Sequence, residues 1–318
     1  MTALRPVLLG DVGGTNARLA LYAEGRLGPV THFGVAEHPD PIALFRRFLA
    51  EAAPGTRPAQ AVFAAAGPLA DDARSVQLTN SPWHLDADET QRALGIDRVR
   101  LVNDFAAIAW ALIRPGALDL LQVGPGTPIP AAPCSVVGPG TGLGVAHLIT
   151  VEGRPVVLAT EGGHATIAAC DEAESAILDR VRARHGHVSG ERVLAGDGLV
   201  NLHEAITTLA GHSPHAETPE TITAHAAQGC ADCARTLEVF FSLLGNFAGN
   251  LALTLEARGG VFIAGGIVPK VADRLPSSPF RARFEAKGRH RDRLRLVPTY
   301  LIRKTDVAFD GLIALSEQ

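Results

Sequence analysis

The stretch "VLLGDVGGTNARLALYAEGR", Val7–Arg26, has a counterpart in "SVVGPGTGLGVAHLITVEGR", Ser135–Arg154. At one constant offset and without a gap, Gly10 falls on Gly138, Gly14 on Gly142 and Glu24–Arg26 on Glu152–Arg154. Each copy reads as a short apolar strand, a glycine turn and a second apolar strand. A gapless match of this length points to duplication of one unit. It predicts two similar α/β lobes whose glycine turns face each other across a cleft.

Glycine suits such turns for two reasons. It tolerates positive φ. Without a Cβ it also lets successive backbone N–H groups close on an anion as a phosphate nest. Other phosphate motifs are excluded. There is no GxxxxGK[ST]. "GPGTGLG" superficially matches a dinucleotide fingerprint, but that fingerprint opens a helix, whereas "VAHLITVEG" reads as a strand. The phosphate turns therefore join hairpins. Asp11 in the first turn has the chemistry to hold Mg²⁺ through water, or it simply favours a turn. A third glycine element is "GGVFIAGGIVPK", Gly259–Lys270, where an apolar strand, 261–264, ends in Gly265-Gly266. That junction either admits a flat base or ribose, or makes a tight turn.

Polar residues occupy odd places elsewhere. In "VRLVNDFAAIAWAL", Val99–Leu112, Asn103 and Asp104 interrupt two apolar runs where a strand hands over to a helix. Either residue suits a helix cap. "LATEGGHATIAA" sets Glu161 and His164 around a glycine pair, and "HVSGERVLAGDG" sets Glu191 after a Ser-Gly turn. Together these supply carboxylates, an amide and an imidazole. That set suits a ring of sugar hydroxyls, each both donor and acceptor, and one carboxylate can serve as general base.

Composition narrows the classes. The chain has 318 residues, 47% hydrophobic and 19% charged, with net charge -4, which suits two domains. Nucleic-acid binding is not expected: the most basic run, "RARFEAKGRHRDRLR" at 281–295, is broken by acidic residues and reads as a solvated helix and loop. No stretch approaches a transmembrane run of uninterrupted apolar residues, and the start is too short for a signal peptide. A cytoplasmic protein is expected. The cysteines are Cys134, Cys170, Cys230 and Cys233. The pair in "CADC" lies in a helix-like run. A zinc site would need further ligands and a redox site would normally follow a strand, so two small, partly buried thiols are expected.

In order along the chain, "GDVGGTNARLAL", "LTNSPW", "VNDFAA", "GPGTGLGVAHL", "EGGH", "GHVSGERVLAG" and "GGVFIAGGIVPK" resemble the bacterial glucokinases of the hexokinase-like, actin-related ATPase superfamily. The resemblance implies a duplicated RNase H-like topology, phosphorylation of glucose at its 6-hydroxyl by ATP with Mg²⁺, and a homodimer. It implies a first phosphate loop of Gly10, Asp11, Val12, Gly13, Gly14 and Thr15, with Asp11 on the metal. Gly138, Gly140, Thr141 and Gly142 belong to the second loop, and Gly265 and Gly266 flank adenosine. Glucose would be held by Asn103, Asp104, Glu161, His164, Glu191 and Asn80, with Asp104 as base. Two departures stand out. Pro139 replaces a small residue in the second loop, and "DVAFDGLIALSEQ" lacks the usual final glycine-leucine run, so its helix is expected to pack differently. The zinc-binding cysteine cluster of the related repressors is absent. The expected lobes are residues 1–110, joined by a final helix at 305–318, and residues 111–304. Alternatives are a kinase for mannose, fructose or an amino sugar, or an actin-like ATPase without a sugar.

Overall fold

The structure is a computed structural model describing residues 5–55, 57–216 and 218–318. Its contacts divide the chain into unit 1, residues 1–118 with 306–318, and unit 2, residues 119–305.

Unit 1 is built on β1 (Val7–Val12), β2 (Asn16–Ala23), β3 (Arg26–Leu27), β4 (Thr31–Gly34), helix α1 (Pro41–Ala52), β5 (Gln60–Ala65), β6 (Ser75–Gln77), β7 (His84–Asp86), α2 (Ala87–Leu94), β8 (Arg98–Asn103) and α3 (Asp104–Ala111). The main sheet runs β3-β2-β1-β5-β8, and β4 also pairs with β2. The hairpin β1–β2 is antiparallel, while β5 and β8 run parallel to β1. Burial on both faces explains why β5, "QAVFAA", is a continuous apolar run. One face packs Phe63 with Phe45 and Phe48 of α1. The other packs Leu9, Val62 and Ala64 against Phe309, Leu312 and Leu315 of the C-terminal helix, Val307–Ser316. That helix packs closely despite its divergent sequence. A Cβ on Gly311 would stand 1.7 Å from the carbonyl oxygen of Ala107, so the glycine is what lets the helix approach α3.

Unit 2 repeats the plan with β9 (Leu120–Gly124), β10 (Cys134–Pro139), β11 (Leu143–Val151), β12 (Arg154–Thr160), α4 (Glu172–His185), α5 (Glu191–Leu194), α6 (Gly196–Leu209), α7 (Pro219–Ala227), α8 (Ala231–Leu255), β13 (Gly260–Ile263), α9 (Phe280–Glu285), α10 (Arg291–Arg295) and β14 (Thr299–Ile302). Its sheet runs β12-β11-β10-β13-β14-β9, again an antiparallel meander followed by two strands parallel to its first. The duplication read from sequence is therefore a duplication of topology. Even the Glu-Gly turns match: Glu24 and Gly25 have φ of 52° and 75°, Glu152 and Gly153 have 50° and 76°. The hairpin register does not match. Gly10 pairs with Leu19, but Gly138 pairs with Gly144. The first hairpin closes over a wider loop, with Gly13 N–H donating to Asn16 O, whereas Gly140 N–H donates to Gly142 O in the second.

Helix α8 is long and apolar enough, by length and composition, to cross a membrane, which a count of uninterrupted apolar residues missed. However, 78% of its apolar window is buried, and Phe240, Phe241, Leu243 and Leu244 lie in the core of unit 2. The basic run at 281–295 is only partly solvated. Arg281 is largely buried, pairs with Glu285, donates to the carbonyls of Leu294, Arg295 and Val297, and lies over the Phe284 ring.

Candidate active site

In unit 1 the first glycine turn follows β1. Gly10 lies within β1, where a Cβ would stand 2.6 Å from the Phe63 ring. Its glycine is a packing requirement, and Val12 beside it is fully buried in the core. In the rest of the turn Gly13 and Gly14 are half-buried, and Thr15 and Asn16 are exposed. A Cβ on Gly14 would stand 2.2 Å from the carbonyl oxygen of Thr79 and 3.3 Å from that of Asn80. Gly14 thus lets the turn lie on the segment carrying Asn80, which itself has φ +59°, a conformation Asn tolerates better than most residues. The positive φ expected of the turn glycines is absent at Gly10, Gly13, Gly14, Gly138, Gly140 and Gly142; only Gly265, at φ +83°, has it. At Gly14 and Gly142 glycine serves close approach, to Thr79 O and to Glu191 Oε2.

Asp11 is not a bare carboxylate. Its Oδ2 accepts from Arg18 Nη2, and from Nε at 3.1 Å. Arg18 also donates to Asp306 Oδ1 at 2.7 Å, tying β1 and β2 to the start of the C-terminal helix. Asn103 caps α3, as the sequence allows: its Oδ1 accepts from Phe105 N and Ala106 N at 3.0 and 3.2 Å. That leaves the amide Nδ2 as the chemistry it can offer a ligand. Asp104 is the first residue of α3, half-buried, and its Oδ1 accepts from Phe105 N at 2.9 Å. A helix N-terminus is where negative charge is best accommodated.

Unit 2 brings the other three polar residues together. His164 Nε2 is 3.3 Å from Glu191 Oε1, and His164 Nδ1 is 3.6 Å from Glu161 Oε2. The other oxygen of Glu191 accepts from Leu143 N at 3.0 Å, directly after the second glycine turn. Glycines make this possible. A Cβ on Gly142 would meet Glu191 Oε2 at 2.7 Å, one on Gly163 would meet Leu143 O at 1.9 Å, and one on Gly190 would lie 2.9 Å from the Phe247 ring and 3.0 Å from the Leu143 side chain. Three glycines far apart in sequence therefore converge around Leu143. Glu161 and His164 are exposed, so only the arrival of a ligand would desolvate them.

The adenosine-side glycines meet the second turn as well. A Cβ on Gly265 would stand 2.3 Å from Pro139 O. Ile267 N donates to the same carbonyl at 3.1 Å, and Gly196 N donates to Gly140 O at 2.9 Å. Pro139 fits because its carbonyl, which any residue has, does the bonding. Thr141 is exposed at the tip of the turn.

The repeated strand order, with a glycine turn after the first strand of each copy and clustered sugar-type donors and acceptors, defines an actin-like ATPase fold of the sugar-kinase class. Comparison with known proteins is more specific. The Glucokinase family model matches residues 8–318. The glucokinase of Paramagnetospirillum magneticum is 45% identical over 312 residues, covering 97% of each chain. The crystal structure of glucokinase from an Antarctic psychrotroph superposes with a TM-score of 0.88 at 34% identity, covering 98% of each chain. A glucokinase of the ROK family from Streptomyces griseus, solved with glucose and AMPPNP, shares the fold with a TM-score of 0.64 at 20% identity and covers 98% of each chain. The chain belongs to the glucokinase family, and its reaction is the ATP-dependent phosphorylation of glucose. The sugar-independent ATPases are thereby set aside.

Proposed function

We propose that the chain phosphorylates the 6-hydroxyl of glucose, with Asp104 taking the hydroxyl proton as the oxygen attacks the γ-phosphorus of ATP. The carrying observation is Glu191. One of its oxygens holds the N–H that follows the second glycine turn while the other meets His164. A phosphate-directed turn and the sugar-directed group are therefore joined in one hydrogen-bonded assembly. Glu161, His164, Glu191, Asn80 and the amide of Asn103 hold the sugar. The main-chain N–H groups of Gly14, Thr15, Thr141 and Gly142 bind the phosphates, those of Gly13 and Gly140 being donated within their own turns, with Gly265 and Gly266 beside adenosine. Units 1 and 2 are the two lobes.

Asp11 fits an outer-shell role toward Mg²⁺: the Arg18 guanidinium occupies its Oδ2, and a carboxylate so engaged suits water-mediated contact better than direct ligation. Bound Mg²⁺ offsets phosphate charge. The chain's own residues position the nucleophile and move its proton. We also propose a homodimer in the cytoplasm, on the family resemblance.

The test is ATP consumption with and without sugar, followed by calorimetry on Asp104→Asn. Glucose should stimulate ATP turnover and yield the 6-phosphate in preference to mannose, fructose or glucosamine. Asp104→Asn should retain glucose binding within a few-fold while kcat falls by about 10²–10⁴, the range of a lost general base. A near-normal kcat removes Asp104 from that role.

A further inference from the structure

The "CADC" segment opens a helix rather than lying within one. Helix α7 ends at Ala227, Gly229 takes φ +94°, and α8 begins at Ala231. Cys230 is therefore the N-cap of α8, and its Sγ accepts from Cys233 N at 3.5 Å. A CxxC in this setting points both sulfurs to one side of the helix N-terminus. Two histidines meet them. His215, exposed on the segment before α7, places Nε2 3.1 Å from Cys230 Sγ and 3.8 Å from Cys233 Sγ. His203, on α6, is fully buried, and its ring stands edge-on to His215 with centroids 4.8 Å apart. The nearest ligand atoms of His203, His215 and Cys233 all lie within 4.8 Å of one another.

The hydrogen bonds decide the tautomers. Thr236 Oγ1 donates to Asp232 O at 2.8 Å, so toward His203 Nδ1, 3.1 Å away, it must accept. Nδ1 of His203 then carries the proton and Nε2 carries a lone pair. That buried Nε2 has no hydrogen-bond partner among the described residues. His215 Nδ1 faces Ser213 O at 3.4 Å. A carbonyl can only accept, so His215 is also protonated on Nδ1 and presents a lone pair at Nε2. Two imidazole lone pairs and two sulfurs thus converge, each imidazole held from behind as metal-ligating histidines are.

We propose that Cys230, Cys233, His203 and His215 form a tetrahedral site for a thiolate-preferring divalent metal, zinc foremost. Tetrahedral zinc bonds of about 2.0–2.3 Å set ligand-to-ligand separations of about 3.3–3.8 Å, and His215 Nε2 already lies 3.1 and 3.8 Å from the two sulfurs. Bringing His203, His215 and Cys233, whose ligand atoms lie within 4.8 Å of one another, onto one ion requires a modest side-chain contraction. Two thiolates neutralise the ion. Both thiols release their protons when metal arrives. The site would clamp the N-terminus of α8 to α6 and to the loop between α6 and α7. It uses none of the residues assigned to glucose or ATP.

The test is made on the whole protein, purified under reducing conditions without a metal-binding tag. Elemental analysis should find close to one zinc per chain. Stripped protein loaded with Co²⁺ should show the intense visible bands of tetrahedral cobalt and a near-ultraviolet thiolate band. His215→Ala, at an exposed position, should remain folded by circular dichroism and lose metal affinity at least 10-fold. Cys230→Ser should weaken the thiolate band, leaving the contribution of Cys233 alone. Zinc and cobalt uptake no greater than in a Cys230→Ser/His215→Ala double variant overturns the proposal. So does a Cys230–Cys233 disulfide that forms reversibly in protein that takes up no metal.

Discussion

Gly10 and Gly14 sit four residues apart in one motif yet answer to different constraints. Gly14 lies on the backbone of Thr79 and Asn80, in the turn, while Gly10 faces the Phe63 ring and Leu19 inside the core. A methyl group at Gly10 therefore overpacks the interior without touching the turn. Gly10→Ala should lower stability by about 1–3 kcal/mol, read as an earlier denaturant midpoint at unchanged slope, while the folded fraction keeps its KM for ATP. A raised KM with unaltered stability would instead place Gly10 among the ligand contacts. The sequence presents both glycines as one motif because residue type does not say what lies opposite the missing Cβ. Asn103 shows the same ambiguity resolved differently: its carbonyl oxygen is taken up by capping, so only its amide group is left for a sugar. Glu191 was identifiable as a polar residue in an odd place. Its bond to Leu143 N was not, since it depends on Gly142, Gly163 and Gly190 all lacking side chains.

Among elements, helices α4, α8 and α9 are joined by one buried carboxylate. Glu174 accepts from Arg283 Nη2 at 2.7 Å, from Ser242 Oγ at 2.8 Å and from Cys170 N at 2.8 Å. Arg283 also pairs with Asp171, the N-cap of α4. Removing the guanidinium leaves Glu174, with a side chain only 4% exposed, short of its counter-charge. Arg283→Ala should cost on the order of 3 kcal/mol, measured by chemical denaturation. The Glu174 N–H of the first turn, and then Arg283, hold the Asp171 carboxyl below its usual range. A carboxyl depressed on folding contributes stability that is complete above its unfolded pKa and is lost as pH falls through the folded value. Its share should therefore disappear below about pH 4, and Asp171→Ala should flatten that acid limb. At this scale the strand and helix pattern was largely legible: β8 handing over to α3, and α4 over "EAESAILDRVRARH", follow from apolar periodicity. The break before "CADC" was not. Alanine-rich flanks on both sides of Gln228-Gly229 carry helix propensity straight through a point where one left-handed glycine ends the helix. The histidines that complete the cluster are far from the cysteines in sequence and come from two other segments. The hairpin registers also escaped, because a gapless alignment cannot say which carbonyl Gly13 or Gly140 will bond.

For the whole molecule, the duplication accounts for topology, but the chain path makes the two copies unequal. Unit 2 is continuous, whereas unit 1 is completed only when residues 306–318 return to it. That return is energetically substantial. Phe309, Leu312 and Leu315 are buried against Leu9, Val62 and Ala64, each such side chain contributing about 1.5–3 kcal/mol on transfer from water. Arg18 to Asp306, Gln60 to the Ser316 carbonyl and Arg100 to the Leu315 carbonyl add polar ties along the helix. Residues 1–118 alone would keep only α3 on that face of their sheet, expose the rest, and should behave as a loosely packed, dye-binding state. The ends to be joined are near one another along the chain's course, since Arg303 N donates to Asp119 O at 2.9 Å where the outgoing and returning strands pair. A short Gly-Ser linker from residue 118 to residue 306 should therefore restore a cooperative unit. Denaturant titration of the linked fragment should give a single transition that the 1–118 fragment lacks. Equal cooperativity in the two fragments would mean that the second face of the sheet does not need the C-terminal helix, and that the buried cluster around Phe309 is dispensable for folding unit 1.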